Sequence, residues 1–483
     1  MAADIETSER FRGKTDIEHA VSTTPIPGLY VVDRKTRFDP RGYFQEIWQQ
    51  EVQEQLGLPE LYPIQFNCSV NEPIGTLRGI HVEPWDKFVG CVQGEIFVAF
   101  VDLREGETFG TSYTQVLTPG QSIFVPRGVG NSYLTLTDNV IYNYLVNRHW
   151  RQGYEYPALR YNDPEVGIKW PLPCPEDRLI ISDKDKLKNP FLRDVIPMKP
   201  RPYLIFGSGG QLGSALVSDM DNIIPRSSAD TDISSAIAVD DIDMSQIAAI
   251  VNAGAYTKVD DAESNGAKAW AVNATGPSNI VRSAQKFHIP VVHISTDYVF
   301  DGGLDRPYLE TDNPNPQGVY AASKLAGDLA VLAYRKGYVL RTPWLTGPDA
   351  TRPNFVDIMI SRALAGAETK VVHDERGRLT FTSTVVDAIK HLLSNNIEPG
   401  LYNLSSEGPV TTRAELAAEI FRLVGANISL VVPVSTVEYY GDRPHAPRPR
   451  NGSVDNTKII ETGFTPPNWQ DELAKYVSLK LAN

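Results

Sequence analysis

Residues 203–213 read YLIFGSGGQLG, and this stretch decides the fold of the larger part of the chain. Four residues typical of a buried strand run into a turn with glycines at Gly207, Gly210 and Gly213. Glycines at this spacing let the backbone turn tightly and approach a pyrophosphate, which the N-terminus of the following helix stabilises. Such a turn can also be purely structural, but a strand before it and a helix after it favour a dinucleotide site.

Strand-like and helix-like segments alternate downstream of this turn. The strand-like runs YLIF, IAAIVN, PVVHIST and YVLRT each precede a segment with helical periodicity. Parallel strands joined by crossover helices produce this order, so the sequence predicts a Rossmann-type, doubly wound α/β parallel sheet. We predict that this domain spans residues 203–483 and ends in a small substrate-binding part.

The first part of the chain has a different pattern. Between residues 28 and 170, short alternating strands are separated by turns such as Pro119-Gly120, which is typical of an all-β jelly-roll barrel. Residues 44–57, FQEIWQQEVQEQLG, have helical periodicity, and we predict a helix there. We therefore predict two domains, with the barrel in residues 1–197 and a proline-rich linker in residues 198–202.

Composition and charge narrow the function. The chain has 483 residues, of which 42% are apolar and 22% charged, as in a globular protein of two or more domains. The net charge of −13 argues against a nucleic-acid binder that neutralises phosphates. We expect neither a membrane span nor a secretory signal, because long apolar segments are missing. Three cysteines (Cys68, Cys91 and Cys174) at no metal-like spacing fit a cytoplasmic location.

The α/β part also carries side chains suited to proton transfer. Tyr320 and Lys324 are four residues apart and lie on one face of a helix, where the cation stabilises phenolate and lets the phenol protonate a developing alkoxide. Thr296, at the end of a predicted strand, can hydrogen-bond the same oxygen. A Tyr-x-x-x-Lys pair alone is more often a solvated helix face, but the ordered set of motifs favours a catalytic pair.

These motifs resemble those of the extended short-chain dehydrogenase/reductases, and longer strings among them resemble dTDP-4-dehydrorhamnose reductases. The strings are NAGAYTKVDDAE (252–263), STDYVFDG (295–302), RTPW (341–344) and RPRN (448–451). The resemblance covers nearly all of residues 203–480. It implies reduction of a sugar ketone at C4 by NADH or NADPH, with Thr296, Tyr320 and Lys324 as the catalytic residues.

The resemblance also implies two sets of binding residues. Asp297 and Trp344 would contact the sugar nucleotide. NADPH is favoured over NADH because Arg226, beyond the second strand, could pair with a 2′-phosphate, although it could equally be a surface arginine. Ala321 and Leu379 depart from the family pattern near the substrate. The residues implied to contact the dinucleotide are Gly207, Gly210, Gln211, Leu212, Gly213, Asp232, Ile233, Ala253, Gly254, Ala255, Tyr320 and Lys324.

Polar residues interrupt the predicted strands of the first part, which is costly on an inward face unless they meet a ligand or each other. They occur in DPRGYFQE (39–46), QFNCS (65–69) and GTLRGIH (75–81). Together with GEIF (94–97) and IKWP (168–171), these strings resemble dTDP-4-dehydrorhamnose 3,5-epimerases, which are metal-free, cupin-like jelly-roll enzymes.

The epimerase resemblance implies a base and an acid on opposite faces of the sugar. His81 would be the base, oriented by Asp185, and Tyr142 the acid, with Lys87 stabilising the enolate oxygen. The chemistry suits these types, because the 4-keto group acidifies the hydrogens at C3 and C5. Tyr142 could also be a core residue and Lys87 a solvated one. The implied substrate contacts are Arg41, Glu46, Gln65, Asn67, Arg78 and Asn131.

This part departs from its family at two places. Asn131 stands where a second histidine is expected, and asparagine hydrogen-bonds but carries no proton charge. The tyrosine pair expected after the acid is not evident. No second histidine follows His81 at short spacing, so we expect no metal. Because base, carboxylate and acid remain, we expect a working epimerase.

The sequence as a whole predicts two successive enzymes. The first would epimerise dTDP-4-dehydro-6-deoxy-D-glucose, and the second would reduce the product to dTDP-L-rhamnose. Three alternatives remain: a silent β domain used for binding or dimerisation, a related dTDP-deoxysugar as product, or a non-enzymatic sugar-nucleotide sensor. We expect a homodimer through the β domain and neither nucleic-acid nor membrane partners.

Overall fold

The chain divides into two compact units, Met1–Pro200 (unit 1) and Arg201–Asn483 (unit 2). Cys174 and residues 1–15, on which the expectations about redox compartment and secretion partly rest, lie outside the described residues. The computed structural model describes residues 16–39, 41–150, 156–172, 175–348, 353–395 and 397–482.

Unit 1 contains two larger antiparallel sheets, with strand orders β1-β2-β10-β7-β12-β5 and β6-β11-β8-β9, and a separate hairpin of β3 and β4. Apolar residues such as Val89, Val98, Phe100 and Ile123 fill the space between the sheets. The predicted cupin-like jelly roll is confirmed. The strands are β1 (Ala20–Thr23), β2 (Tyr30–Asp33), β3 (Thr36–Asp39), β4 (Gly42–Gln45), β5 (Gln65–Asn71), β6 (Leu77–His81), β7 (Lys87–Gln93), β8 (Ile96–Asp102), β9 (Ser112–Leu117), β10 (Gln121–Val125), β11 (Val129–Thr135) and β12 (Val140–Val146).

Strand β5 reverses the usual alternation of an edge strand. Its apolar residues Phe66 and Val70 are 59% and 62% exposed. Its polar residues at the alternate positions, Gln65, Asn67 and Ser69, are half-buried. Because successive side chains of a strand point to opposite faces, β5 directs polar groups into the barrel and apolar groups away from it.

The helix predicted at residues 44–57 is wrong at its start. Phe44 and Gln45 belong to β4, which pairs with β3 in the register Arg37↔Phe44. The helix α1 spans Gln50–Gln55. Gly42 has a φ of +136°, which lets the chain turn back after β3, so backbone pairing prevails over helical periodicity.

A six-stranded parallel sheet forms the centre of unit 2, in the order β14-β13-β15-β16-β17-β22. The strand order reverses at β13, because β14 lies on one side of it and β15 on the other. Ligands bind at such a position in doubly wound folds. The predicted Rossmann-type sheet is confirmed. Its strands are β13 (Tyr203–Phe206), β14 (Ile223–Arg226), β15 (Ala249–Asn252), β16 (Val291–Thr296), β17 (Gly337–Thr342) and β22 (Gly400–Asn403). Three short pairs accompany it: β18 (Leu345–Thr346) with β21 (Thr380–Phe381), β19 (Thr369–Val372) with β24 (Val431–Val434), and β20 (Arg376–Gly377) with β23 (Thr411–Thr412).

Apolar clusters lie on both faces of this sheet. Ile205 and Val251 pack with one cluster, whereas their neighbours Leu204 and Ile250 pack with the other, so the strands are apolar on both sides. A third cluster joins α8, α10 and α13. The helices are α2 (Gln211–Asp219), α3 (Ala236–Asp240), α4 (Val259–Ala262), α5 (Gly266–Trp270), α6 (Gly276–Gln285), α7 (Val319–Leu332), α8 (Phe355–Leu364), α9 (Thr382–Ser394), α10 (Arg413–Val424), α11 (Thr436–Tyr440), α12 (Thr457–Glu461) and α13 (Trp469–Ala482).

Candidate active sites

A histidine–carboxylate pair lies at the end of β6 in unit 1. His81 Nε2 donates to Oδ1 of Asp185 at 2.9 Å, and the carboxylate also accepts from the amide of Gly79 and from Asn189 Nδ2, each at 3.3 Å. Burial by itself would raise the pKa of Asp185, but the hydrogen bond and charge of His81, with the Gly79 amide, hold it below its ordinary value. The bond fixes the histidine tautomer and leaves its Nδ1 lone pair as a base.

Lys87 is enclosed between a carboxylate and an amide oxygen. It is only 5% exposed, so the alternative of a solvated lysine is wrong. Its Nζ lies 2.5 Å from Oε2 of Glu83 and 2.7 Å from Oδ1 of Asn131. Asn131 is directly opposite His81 in the β6–β11 pair, and opposite residues project from the same face of a sheet. Asn131 therefore connects the lysine with the histidine strand.

Three tyrosine rings lie together between the two sheets. The ring of Tyr142 lies 4.4 Å from that of Tyr133 and 5.9 Å from that of Tyr144, measured between centroids. Burial raises the pKa of Tyr142 well above its ordinary value, and the neighbouring tyrosines and Glu83 add to the rise. A group with this pKa is a proton donor at neutral pH. Sequence reasoning missed Tyr133 and Tyr144, although Tyr144 stands two residues after Tyr142 and shares its face.

The substrate residues predicted for unit 1 fall into two groups. Gln65 Nε2 donates to Asn67 Oδ1 at 2.9 Å on the inner face of β5. Arg78 Nε donates to Oδ1 of Asn71 at 3.0 Å, and Asn71 also bonds Tyr133 of the ring cluster.

Arg41 and Glu46 instead make contacts near the N-terminal strands. The Arg41 side chain is 91% exposed and pairs with Asp39 at 2.6 Å. Oε1 of Glu46 lies 3.4 Å from Nε2 of His19. The structure brings neither of them into contact with the residues around His81.

A cavity of about 1050 Å³ opens at the carboxyl ends of the strands in unit 2. Gly213 does not line it and packs instead on the glycine turn, where a Cβ would lie 2.0 Å from the oxygen of Gly207. A Cβ on Gly207 would lie 2.4 Å from the nitrogen of Gly254, so the turn and the end of β15 touch. The sequence-predicted residues that do line the cavity are Gly207, Gly210, Gln211, Leu212, Asp232, Ile233, Ala253, Gly254, Ala255, Thr296, Asp297, Tyr320, Lys324 and Trp344.

The predicted catalytic residues of unit 2 meet at one wall of this cavity. Burial raises the pKa of the Tyr320 phenol, against which a hydrogen bond with Thr296 acts. Lys324 is 2% exposed, so the alternative of a solvated helix face is wrong. Its Nζ donates to the carbonyl of Ile294 at 2.6 Å. Burial lowers its pKa to about 8, although Asp328 acts in the opposite direction.

Asp297 lies beside these residues with an incompletely paired carboxyl group. Burial raises its pKa to about 7, despite a hydrogen bond from Thr296 and the charge of Arg413. Its Oδ2 has no hydrogen-bond partner among the described residues. A Cβ on Gly452 would lie 2.1 Å from that atom, so only glycine fits there.

Arg413 covers the ring of Trp344, with 3.9 Å between guanidinium carbon and ring centroid. The arginine also lines the cavity and lies 3.9 Å from Glu375. Sequence reasoning missed both charged residues, because no local motif relates them to the strand ends where Thr296 and Asp297 lie.

In the described ranges, no three His, Cys, Asp or Glu residues lie together as a metal site would require. Within the same ranges, no helix has both the length and the apolar character needed to cross a bilayer.

Comparisons with known proteins agree with this geometry. Residues 201–481 match the family described as RmlD substrate binding domain, and residues 23–194 match dTDP-4-dehydrorhamnose 3,5-epimerase. A dTDP-4-dehydrorhamnose reductase of Mycobacterium tuberculosis is 37% identical over 282 residues, which cover 56% of this chain and 90% of that protein. A Streptococcus pyogenes protein called RmlC homolog is 40% identical over 183 residues, 36% of this chain and 90% of that protein.

A solved structure extends the agreement to the fold of unit 2. It is the dTDP-4-dehydrorhamnose reductase of Bacillus anthracis in complex with NADP, which is 31% identical and has a TM-score of 0.54. The alignment covers 58% of this chain and 99% of the other. The chain thus belongs to the dTDP-4-dehydrorhamnose reductase family and carries, ahead of its reductase domain, a dTDP-4-dehydrorhamnose 3,5-epimerase domain.

Proposed function

We propose that this chain catalyses two successive steps of dTDP-L-rhamnose synthesis. Unit 1 epimerises dTDP-4-dehydro-6-deoxy-D-glucose at C3 and C5, and unit 2 reduces the C4 ketone of the product. The observation that carries the proposal is the presence of two complete sets of proton-transfer groups in one chain. His81 with Asp185 forms the centre of the first set, and Tyr320 with Lys324 the centre of the second.

In unit 1, His81 removes the hydrogens at C3 and C5, which the neighbouring ketone acidifies. Asp185 stabilises the imidazolium that forms, because its carboxylate accepts the Nε2 hydrogen. Tyr142 returns a proton from the opposite face, which inverts the carbon. Lys87 stabilises the negative charge that develops on the ketone oxygen.

The other predicted residues of unit 1 would bind the substrate. Gln65, Asn67 and Arg78 offer polar groups on or beside the inward face of β5. Arg41 and Glu46 lie at the N-terminal hairpin and would hold the nucleotide. Asn131 replaces a proton carrier by a neutral acceptor, and its bond to Lys87 keeps the ammonium in the barrel.

In unit 2, the cavity has the size and lining that a nicotinamide dinucleotide needs. The glycine turn leads into α2, whose N-terminus would stabilise the pyrophosphate, and Ala253, Gly254 and Ala255 leave room beside the strand end. C4 would receive its hydride from a dinucleotide held by these residues. Tyr320 donates the proton to the C4 oxygen, and the Thr296 hydroxyl hydrogen-bonds the same atom.

We propose NADPH as the preferred cofactor. The proposal is supported by Arg226, which ends β14 and is followed directly by Ser227 and Ser228, two residues that line the cavity. A cation next to these hydroxyls would suit a 2′-phosphate. The test compares kcat/KM for NADPH and NADH in the Arg226→Ala variant, with Arg282→Ala on the surface of α6 as the matched control. We expect the preference for NADPH to fall about tenfold in Arg226→Ala alone. An unchanged ratio would contradict this choice of cofactor.

We also propose that unit 1 forms a homodimer through β5, in a cytoplasmic enzyme. The strand pairs only with β12 among the described strands and exposes Phe66 and Val70, as an edge that meets a second copy would. Val70→Glu should yield monomers in light scattering, whereas Val116→Glu on the edge strand β9 should not. A wild type of monomer mass would exclude the dimer.

The bifunctional proposal is tested with dTDP-4-dehydro-6-deoxy-D-glucose and NADPH, following absorbance at 340 nm. We expect the wild type to oxidise NADPH and His81→Asn to lose this activity. A separately added epimerase should restore it. His149→Asn, in an exposed position of the same unit, serves as the control. If the wild type itself needs added epimerase, unit 1 is a silent binding module.

A further inference from the structure

Arg413 offers its guanidinium group to the cavity of unit 2. It is the first residue of α10, it is half-buried, and it lines the same cavity as Thr296 and Tyr320. Its Nε lies 3.9 Å from Oε2 of Glu375, which is beyond hydrogen-bond distance. None of the described residues accepts a hydrogen bond from this guanidinium, which carries five N–H donors. The cavity therefore contains a cation whose donors are available to a ligand.

Two aromatic rings fix the orientation of this cation. The guanidinium carbon of Arg413 lies 3.9 Å from the ring centroid of Trp344 and 5.2 Å from that of Phe355. The indole is held in turn by Gly377, where a Cβ would lie 2.8 Å from Cε2 of Trp344. Stacking occupies the face of a guanidinium, whereas its N–H groups lie in its plane and stay available. The rings thus orient Arg413 without using its donors.

The position of Arg413 at the start of a helix favours an anionic ligand. The N-terminus of a helix carries a partial positive charge, which disfavours a cation and favours an anion. The acidic residue of this first turn, Glu415, is engaged in a capping box with Thr412. An anion beside Arg413 would be stabilised both by the guanidinium and by the start of α10.

The neighbouring Arg448 shows the opposite arrangement. Its two terminal nitrogens each lie 3.0 Å from an oxygen of Asp260, so its charge is already paired within the protein. The other cations that line the cavity are Lys258, Lys268 and Lys324. The first two are exposed, and the third belongs to the proposed proton transfer. Among these cations, Arg413 is the one that contacts Trp344, which we predicted to bind the sugar nucleotide.

The reductase reaction brings two diphosphate groups into this cavity. The N-terminus of α2 serves the diphosphate of the dinucleotide, and the second diphosphate belongs to the sugar nucleotide. Although burial raises the pKa of Asp297, the charge of Arg413 acts against this rise, so the two side chains are near each other. Because Asp297 and Trp344 would contact the sugar, the phosphate nearest to Arg413 is the one attached to the sugar.

We propose that Arg413 binds the β-phosphate of the sugar nucleotide in the reductase site, with Trp344 setting the plane of the guanidinium. The inference deepens the proposed reductase function, on which it rests for the identity of the substrate. The β-phosphate is attached to C1 of the sugar, and C4 lies on the opposite side of the ring. Arg413 would thus hold one side of the sugar while Thr296 and Tyr320 contact the oxygen on the other.

The test uses the full-length chain and the reverse of the proposed reduction, the oxidation of dTDP-L-rhamnose by NADP⁺, followed at 340 nm. In Arg413→Gln we expect KM for the sugar nucleotide and Ki for dTDP to rise about tenfold or more, because a charged hydrogen-bond donor is lost. The kcat should stay within about twofold of the wild type, since the lost contact is not made by the reacting atoms.

A second inhibitor identifies which phosphate is bound. Because dTMP lacks the β-phosphate, its Ki should change less than about twofold in Arg413→Gln. Arg422→Gln is the matched control, because Arg422 lies on the same helix and is paired with Glu419 at 2.6 Å. It should alter neither constant. Arg413→Lys keeps the charge but loses the planar fork, so its Ki for dTDP should lie between those of the wild type and Arg413→Gln.

Three results would overturn the inference. The first is an unchanged Ki for dTDP in folded Arg413→Gln, and the second is an equal rise for dTDP and dTMP. The third is an equal rise in Arg413→Gln and Arg422→Gln. If Arg413→Gln does not fold, Arg413→Lys decides in the same way: a rise of Ki for dTDP alone supports the inference, and an unchanged Ki overturns it.

Calorimetric titration with dTDP separates this inference from the proposed function. It needs no turnover, and Arg413→Gln should weaken one dTDP site of the chain about tenfold. This loss without turnover of any dTDP-sugar would remove the proposed reduction and leave the phosphate contact. Normal turnover in Arg413→Gln, with unchanged dTDP binding, would remove the inference alone.

Discussion

The two active sites each contain a deeply buried lysine, and the comparison shows that equally buried lysines can have very different polar partners. Lys87 of unit 1 lies between the carboxylate of Glu83, with which it forms an ion pair, and the amide oxygen of Asn131, which accepts a hydrogen bond from it. Lys324 of unit 2 meets an imidazole and a backbone carbonyl, while the nearby carboxylate of Asp328 is bonded to Arg341. The two lysines are therefore equally buried but differ in the groups that they contact.

Two buried carboxyl groups, one in each unit, also differ in their partners. Asp185 in unit 1 receives hydrogen bonds from His81 and a backbone amide, and its pKa lies below the ordinary value. Asp297 in unit 2 leaves one oxygen without a hydrogen bond, and burial raises its pKa to about 7. The partners of Asp185 thus favour its ionised form, whereas burial of Asp297 favours its protonated form.

The largest expected effect comes from removing each lysine in turn. Lys87→Met should slow the exchange of substrate hydrogens at C3 and C5 with D₂O by about 10²–10³-fold, because the enolate loses its cation. Reduction of substrate supplied by a separate epimerase should be unchanged in this variant. Lys324→Met should show the converse pattern. Proton NMR measures the exchange and absorbance at 340 nm the reduction. Loss of both reactions in either variant would contradict independent roles.

Removal of the carboxylate partner of Lys87 should mainly affect stability. Glu83→Gln leaves a buried ammonium without its counter-charge, and breaking such a pair costs about 3 kcal/mol or more. Urea unfolding followed by tryptophan fluorescence should show this loss in the transition of unit 1. Glu95→Gln, a change near the β7–β8 turn, serves as the control. Equal stability in Glu83→Gln and Glu95→Gln would mean that Lys87 does not depend on the pair.

Asp297 should make the stability of unit 2 depend on pH. Its native pKa is about 7 and its unfolded value about 3.8, so between these values the native state holds a proton that the unfolded state has lost. Stability from this group therefore falls as pH rises from 4 to 7, by up to about 1.4 kcal/mol per unit. The Asp297→Asn variant should lack this dependence of stability on pH. The measurement is urea unfolding of the wild type and of Asp297→Asn at several pH values. Parallel curves would refute the raised pKa.

The smallest predicted effect concerns Asn131, which holds Lys87 by a single hydrogen bond. Asn131→Ala removes that bond but keeps the Glu83 pair, so hydrogen exchange at C3 and C5 should slow about fivefold, or about 1 kcal/mol. Asn143→Ala, in a buried asparagine of β12, is the control for packing. A loss as large as that of Lys87→Met would show that the amide, rather than the carboxylate, is the main partner of the lysine.

Local sequence patterns were sufficient to predict those parts of the sites that depend on local backbone geometry. The glycine turn, the Tyr320–Lys324 spacing and the strand ends predicted a site that the cavity of unit 2 brings together. They failed where two local preferences compete, since Phe44 fits both a helix and a hairpin and the pairing with β3 prevails.

Patterns could not reveal partners that are distant in sequence. The partners of Asp297 and Trp344 include Arg413, which stands more than 60 residues later. The buried contacts of Lys324 likewise include His293, which no short motif connects with it. Such contacts follow from sheet topology and helix packing, which the sequence predicts only as a class of fold.

The reversed alternation of β5 also has a consequence for folding fidelity. The strand pairs with β12 over seven positions, from Gln65↔Val146 to Asn71↔Val140. A slip by one residue would turn Phe66 and Val70 inward and send Gln65 and Asn67 out to water. The same error would then remove the polar groups of β5 from the interior of the barrel and bury its apolar edge, so a misregistered molecule would lose part of the proposed substrate contacts together with the proposed dimer surface.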